Sequence, residues 1–446
     1  MFDREKTMFD REAFREVIED YARRKGIWAE LWGKIEEGLS VERRDRRLEA
    51  VEAYRETLFA VRVIYQGRAG LSYTTQASEE AIREAAEQAY ETARFSEEEA
   101  EVPEVRELPK VTPRSLIRRS PEELESFLLE AEDSVFSLDS RLHRIEKTTL
   151  SFSETTYFIF QSRGLSAGFR TGAYSFFISL TAREGEEERA AWEWQEAPDL
   201  QELELRRLAR RAAVRSLDLL SARKISSRKL PILFPPQVAV ALLETLSSSF
   251  CGDEVLKGRS RLAGKLGQPL FSPTITLVDH GLLPGGAETR PFDDEGMPQT
   301  RKILVSEGTI SAFLYDTLWG RRAGKASTGN ARRPSFRSLP TVSATNFYVE
   351  PGNFQPEALR EAEQAVFEVY EILGWHTTDP VSGDFSVGVS GVLHKGGRKI
   401  PVAGMALSGN LFDLWARVTA VGKDLTFYGN IGSPSLLVSG LDLSGV

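Results

Sequence analysis

Before residue 221 one order of elements occurs twice: a helix, a run of strands, then another helix. In the first pass, residues 9–24 have the apolar spacing of an amphipathic helix. Trp28, Leu31, Trp32 and Ile35, then Leu58 to Tyr65, carry the β-branched and aromatic residues of strands. Gly67 and Gly70 bracket a hairpin turn, and Ser78 is the N-cap candidate of a helix with acids in its first turn. In the second pass, Ser120-Pro121-Glu122-Glu123 opens a helix with proline at its first position. Strands follow at 142–152, 155–161 and 166–181, with Arg163-Gly164 as a turn, and 200–220 returns to helix. The order suggests a duplicated α/β motif, although the two halves share too little sequence to count as a repeat.

The 446 residues exceed what one ordinary core encloses, so several domains are expected. The acidic, proline-bearing stretch 96–113 reads as a linker. The expected divisions are 1–95 for the first α/β unit, 96–113 for the linker, 114–222 for the second unit and 223–446 for a C-terminal domain. In that last part, 229–234 and 272–279 read as strands, 302–316 as a hairpin turning at Glu307-Gly308, and 356–373 as a helix. From residue 383 onward short strands alternate with glycine turns, the pattern of an antiparallel sheet. The expected class is therefore α+β, with two N-terminal α/β units packed on a C-terminal domain dominated by antiparallel sheet.

Lys and Arg number 57 against 66 Asp and Glu, for a net charge of −9, which argues against a general polyanion binder. Cys251 is the sole cysteine, so no internal disulfide or cysteine-rich zinc module can form. That fits a reducing cytoplasm, the expected location. No run nears the roughly 18 apolar residues of a membrane span, and the charged start lacks the apolar core of a signal peptide. The start repeats Met-Phe-Asp-Arg-Glu at Met1 and Met8, which fits an alternative start and receives no function.

The stretch 235–261 carries the functional question. A proline pair opens a helix whose Val238, Leu242, Leu243 and Leu246 form a buried face, and Gly252 is placed to close it in a left-handed conformation. This stretch and the residues C-terminal to it resemble the C-terminal half of the TldD/PmbA family, once named modulators of DNA gyrase. Phe292-Asp293-Asp294-Glu295-Gly296-Met297-Pro298, Thr328-Gly329-Asn330-Ala331-Arg332-Arg333, Gly383-Asp384-Phe385-Ser386 and Ser408-Gly409-Asn410-Leu411 match family phrases in order. The likeness is dense from about 230 to 440 and weak before that.

In the family's catalytic subunit the same helix carries His-Glu-x-x-x-His, followed by Gly-Asp. Alignment on Gly252-Asp253 puts Leu243 and Ser248 at the histidine positions and Glu244 at the glutamate. The catalytic subunit also uses a cysteine near its C-terminus, where this chain has Gly429-Asn430-Ile431-Gly432-Ser433-Pro434. Catalytic zinc takes about three protein ligands. A leucine cannot bind it, and without the metal Glu244 has no activated water to serve as base. Glu244 then reads as a surface or capping carboxylate. The resemblance implies a subunit of the TldE/PmbA type, without catalytic residues or cofactor of its own and inactive alone. It implies a heterodimer with a TldD-type chain that carries the zinc, and guidance of unfolded peptides into a shared chamber. A homodimer that binds peptides without a protease, or a regulator of DNA gyrase, are the alternatives.

A few other residues have side chains suited to chemistry. Histidines five apart subtend about 140° on a regular helix, so Ser247-Ser248-Ser249 marks either a distorted helix end or a plain solvated terminus. Cys251 follows a helix and reads as a small core residue rather than a nucleophile. His143, His280, His376 and His394 form no close pair, leaving only His280 with Asp253 or Asp279 as a conceivable metal site. Asp293-Asp294-Glu295 could hold a cation or a substrate amine, or form a solvated acidic turn. The basic segment 321–337 could meet phosphate, nucleic acid, a partner subunit or a substrate peptide; one stacking aromatic, Phe336, counts against nucleic acid. The candidate substrate contacts are Asp294, Glu295, Asn330, Arg332 and Arg333, with no membrane partner.

Overall fold

The computed structural model describes residues 11–112 and 116–445; the repeated start at Met1 and Met8 lies outside them apart from Arg11 and Glu12. The chain opens with helix α1 (Arg11–Lys25), strands β1 (Trp28–Arg44), β2 (Arg47–Tyr65) and β3 (Arg68–Thr74), and helix α2 (Glu79–Phe95). After the linker come α3 (Pro121–Phe136), β4 (Leu142–Gln161), β5 (Ser166–Glu184), β6 (Glu187–Ala197) and α4 (Leu205–Asp218). The caps follow the local chemistry. The Ser78 hydroxyl accepts from Ala81 N, and Ser120 with Glu123 forms a reciprocal capping box beside Pro121.

The two α/β units share one antiparallel sheet in the order β3-β2-β1-β4-β5-β6. The join is the β1–β4 ladder, which runs from Glu30 opposite Gln161 to Arg43 opposite Thr148. Two apolar clusters underlie it. One packs α1 and α2 on β1 and β2 through Phe14, Ile18, Phe59, Val61 and Ile82. The other packs α3 and α4 on β4 and β5 through Leu128, Leu150, Phe176, Ile178 and Leu208.

The C-terminal part builds on β7 (Arg228–Phe234) and α5 (Pro236–Ser247). Strand β7 lies between Ala365–Leu373, to which it is parallel, and Leu436–Ser444, to which it is antiparallel. Arg398–Asn410 pairs with both Asp384–Lys395 and Leu436–Ser444, so the sheet closes on itself. A second six-stranded sheet holds Leu277–His280, Phe347–Val349, Ile431–Ser433 and, at its edge, Thr426–Tyr428. The architecture is α+β, as the sequence pattern implies, and most strand pairs are antiparallel. Among the described residues no helix is long and apolar enough to cross a membrane.

Three local expectations need correction. The helix expected over 356–373 stops at Arg360, and Ala365–Leu373 is a strand that buries Val366, Phe367 and Val369 between neighbours. The charged run before it has helical composition, but pairing with the neighbours Arg228–Phe234 and Asp384–Lys395 makes the second half a strand, buried continuously from Val366 to Val369. The strand expected over 272–279 is confined to Leu277–His280. Gly252 does not close α5 in a left-handed conformation; it opens the short helix Gly252–Leu256. Its amide donates to Leu314 O at 2.7 Å, and a Cβ there would meet the Tyr315 ring at 2.2 Å, so close approach explains the glycine.

Gly70 shows how tightly the first unit packs. It sits on β3 beneath the face of α2 that presents Ala85, Ala89 and Ala93, and an added Cβ would meet Ala89 O at 1.9 Å. Gly70→Ala should lower stability by about 1–3 kcal/mol through overpacking, visible as a reduced thermal midpoint of the purified chain. The same change at Gly67, with open space around it, removes only the ease of its φ of 76° and should cost less.

Candidate functional site

Between the sheet and the C-terminal domain lies a seam of buried charge. The turn Phe292–Pro298 supplies three of its acids, all buried, so this phrase is not the solvated acidic turn that its composition allows. Asp293 holds the turn together: Oδ1 accepts from the amides of Glu295 and Met297, and Oδ2 from Ala331 N. Gly296 makes the reversal with φ of 77°. Asp294 Oδ1 accepts from Trp32 Nε1 at 3.0 Å and from Arg290 Nη1 at 2.9 Å, and its Oδ2 from Arg333 N at 2.7 Å. Glu295 accepts from Arg62 Nη1 at 2.8 Å and from Thr317 N at 3.0 Å.

Glu30 on β1 completes the seam, accepting from Arg62 Nη2, Gln161 Nε2 and Arg333 Nη2 at 2.9–3.0 Å. Arg62, Arg290 and Arg333 thus face Glu30, Asp294 and Glu295 with matched charge. The guanidiniums also stack: Arg290 lies 4.5 Å from the Tyr157 ring centre and Arg333 lies 5.8 Å from that of Trp32. Burial opposes the charge on Arg62, but Glu30 and Glu295 outweigh it and raise its pKa. Burial and then the repulsion of Glu295 push Asp293 well above the usual carboxylate range, against its three amide donors.

The five residues offered for substrate contact fall mostly inside this seam. Asp294, Glu295 and Arg333 are buried and bonded within the chain. Asn330 is also buried, donating to Asp279 Oδ2 and Ser343 O and accepting from Lys302 Nζ. Arg332 is half-buried and pairs with Glu288. The partners Trp32, Arg62, Gln161 and Arg290 had no local signal in the sequence, since each contact joins residues far apart or acts only once the seam is assembled.

A groove of about 810 Å³ opens beside the seam. Ser153, Thr155 and Tyr157 of β4, Phe169 and Thr171 of β5, and Gln195 and Glu196 of β6 form its sheet wall. The opposite wall is the loop 282–289 with Leu425 to Phe427, Gly429 and Asn430, and Lys110 to Thr112 of the linker close one side. The basic segment 321–337 is partly used within the chain: Arg321 pairs with Glu101 and Arg322 with Glu99, both on the linker.

The residues at the family's zinc positions do not fit the metal. Helix α5 packs against Thr426–Tyr428 and Ile431–Ser433, but Leu243 points into the core and Glu244 and Ser248 are exposed. Ser248 Oγ donates to Thr245 O, and the buried Ser433 Oγ donates to Pro434 O at 2.8 Å. After α5 the chain tightens into a 3₁₀ turn, Ser248–Phe250, so the helix end is tightened rather than a plain solvated terminus. Cys251 N-caps the following short helix rather than ending α5, yet it is buried, and burial pushes its thiol pKa up. His280 Nδ1 accepts from Leu282 N, and Asp279 is taken by Lys302, Asn330 and Thr345. Among the described residues no group of three or more His, Cys, Asp or Glu is disposed to hold a metal ion.

Two measurements probe the seam. Removing Arg333 takes one of three buried arginines from the seam and leaves Glu30 Oε1 without its donor, so Arg333→Ala should cost about 3–5 kcal/mol, seen as a lowered thermal midpoint. Asp316, which caps the helix Thr317–Arg322, is pushed up to about 7 by burial and then by Glu295. Its folded pKa lies above its unfolded value, so its protonated form stabilises the fold at low pH. That contribution is lost as pH rises from about 4, the ordinary aspartate value, through about 7. The midpoint of Asp316→Asn relative to the unmodified chain should therefore rise across this window and level off above it.

The chain is similar in sequence and in fold to known proteins. Three family models match in order: PmbA/TldA metallopeptidase domain 1 over residues 35–93, the central domain over 114–220 and the C-terminal domain over 227–445. The Metalloprotease PmbA of Escherichia coli O157:H7 is 25% identical across 97% of each chain. An uncharacterized protein of Methanocaldococcus jannaschii is 33% identical over 219 residues, 49% of this chain and 51% of its own length; for this relative the chain spans about half of the protein it matches. The crystal structure of TldE from Thermococcus kodakarensis superposes with a TM-score of 0.91 at 22% identity, over 97% of this chain and 100% of that one, a likeness of fold. The chain belongs to the TldD/PmbA family of metallopeptidases.

Proposed function

We propose that this chain is a non-catalytic subunit of a heteromeric zinc metallopeptidase that acts on unfolded peptides. Its partner is a TldD-type chain that supplies the zinc. This chain helps enclose the cleavage chamber and takes substrate along the groove between the sheet and the loop 282–289. The cytoplasm, where a single unpaired cysteine stays reduced, is the location that goes with this role.

One observation supports the reading above the others. A core hydrocarbon, Leu243, and a hydroxyl, Ser248, stand where the family's imidazoles would be needed, and the segment 429–434 offers no thiol. Leu243 contributes to the main apolar cluster of the C-terminal domain, so packing, with no metal ligand on that face, holds α5 in place. The 810 Å³ groove is large enough for several residues of extended chain.

Elemental analysis of the purified chain should find no stoichiometric zinc; one tightly bound zinc per chain would defeat the proposal. In a cleavage assay on an unfolded peptide, activity should require this chain and a TldD-type chain together. Chelator-sensitive cleavage by this chain alone would reject the subunit role.

A further inference from the structure

Several buried glutamates of the sheet strands and the helices packed on them are matched by a cation, whereas the buried Asp293 and Asp316 are held by backbone amides. Glu132 meets Arg43, Glu154 meets Arg118 and Arg170, Glu193 meets Arg211 and Arg215, and Glu368 meets Arg360 and His394. Desolvation makes an unmatched charge costly, which explains the pattern. Glu196 breaks it. It stands on β6, half-buried, in the wall of the groove, and its side chain makes no hydrogen bond or ion pair among the described residues. The charge acting on it is another carboxylate, Glu288, which lines the same groove; burial first, then Glu288, raises the pKa of Glu196. Glu288 is itself matched by Arg332. The lining cation Lys110 is exposed and forms no pair with Glu196.

The groove also presents Phe169 and Phe427. An aromatic edge at Phe427 together with an unmatched carboxylate suits a group with a carbon stem and a positive head. We propose that Glu196 is the specificity-determining anion of the groove, taking a cationic group of the bound peptide: a lysine or arginine side chain, or the amino terminus. This rests on the groove being the peptide site. The incoming cation supplies the partner that the chain itself withholds, through a charge-assisted hydrogen bond.

Fluorescence anisotropy with the full chain tests this, using unfolded peptides of equal length. One is N-acetylated with a single lysine or arginine, one is N-acetylated with glutamine in its place, and one has a free amino terminus and no basic side chain. At least one cationic peptide should bind roughly 10-fold tighter than the neutral one, and which one does so identifies the source of the charge. Glu196→Gln should bring the cationic peptides to the level of the neutral peptide, and Glu196→Lys should turn the preference toward an acidic peptide. Equal affinity for all three peptides, or a preference that survives both substitutions, would overturn the proposal while leaving peptide binding in place. No binding of any peptide would overturn both.

Discussion

The ion-paired seam of Glu30, Arg62, Arg290, Asp294, Glu295 and Arg333 is the constraint on which the rest of the structure depends. It is a demanding way to join two parts of a chain. Each charge has left water, and hydrophobic residues of similar volume would often hold as well. What the seam adds is exclusivity. An arginine fork and a carboxylate accept few alternative alignments, so the sheet can dock on the C-terminal domain in one register only. The groove exists because of that register. Its walls belong to different parts of the chain, and the same Tyr157 that stacks under Arg290 also lines the cavity.

Much of the scaffold was readable from short-range chemistry. Ser78 and Ser120 announce helix starts because a hydroxyl before an acidic turn has one favourable task there. The turn at Glu307-Gly308 was equally plain, since both residues take positive φ. The failures have a common physical cause. Residues 365–373 follow a helix-forming run, and only the neighbours β7 and Asp384–Lys395 turn them into strand. Gly252 has the right identity for a helix stop, but it is glycine because Tyr315 lies against it. Asp293-Asp294-Glu295 looks like a wet acidic loop until arginines from distant segments reach it. The groove was not legible, because no local pattern marks a cavity between remote elements.

The unfit metal position also says something about α5. A helix that held zinc would owe part of its orientation to the ion. Here Leu242, Leu243, Leu246 and Phe250 hold it by packing, with Trp375 Nε1 bonded to Ala241 O and Thr245 Oγ1. The helix also buttresses the edge strand Thr426–Tyr428 beside the groove.

The sharing of one sheet by both N-terminal units has a further consequence. Strands β1 and β4 are brought together across the helices α2 and α3 and the linker between them, and the ladder they form is long. Separating the chain inside that linker would leave two fragments, each with a raw strand border shaped only for the other. Such halves are templates for mutual capture, and each alone would be prone to pair with the wrong neighbour. The fused sheet thus makes the two units a single inheritable piece: neither can be shuffled into another protein without leaving an open seam behind.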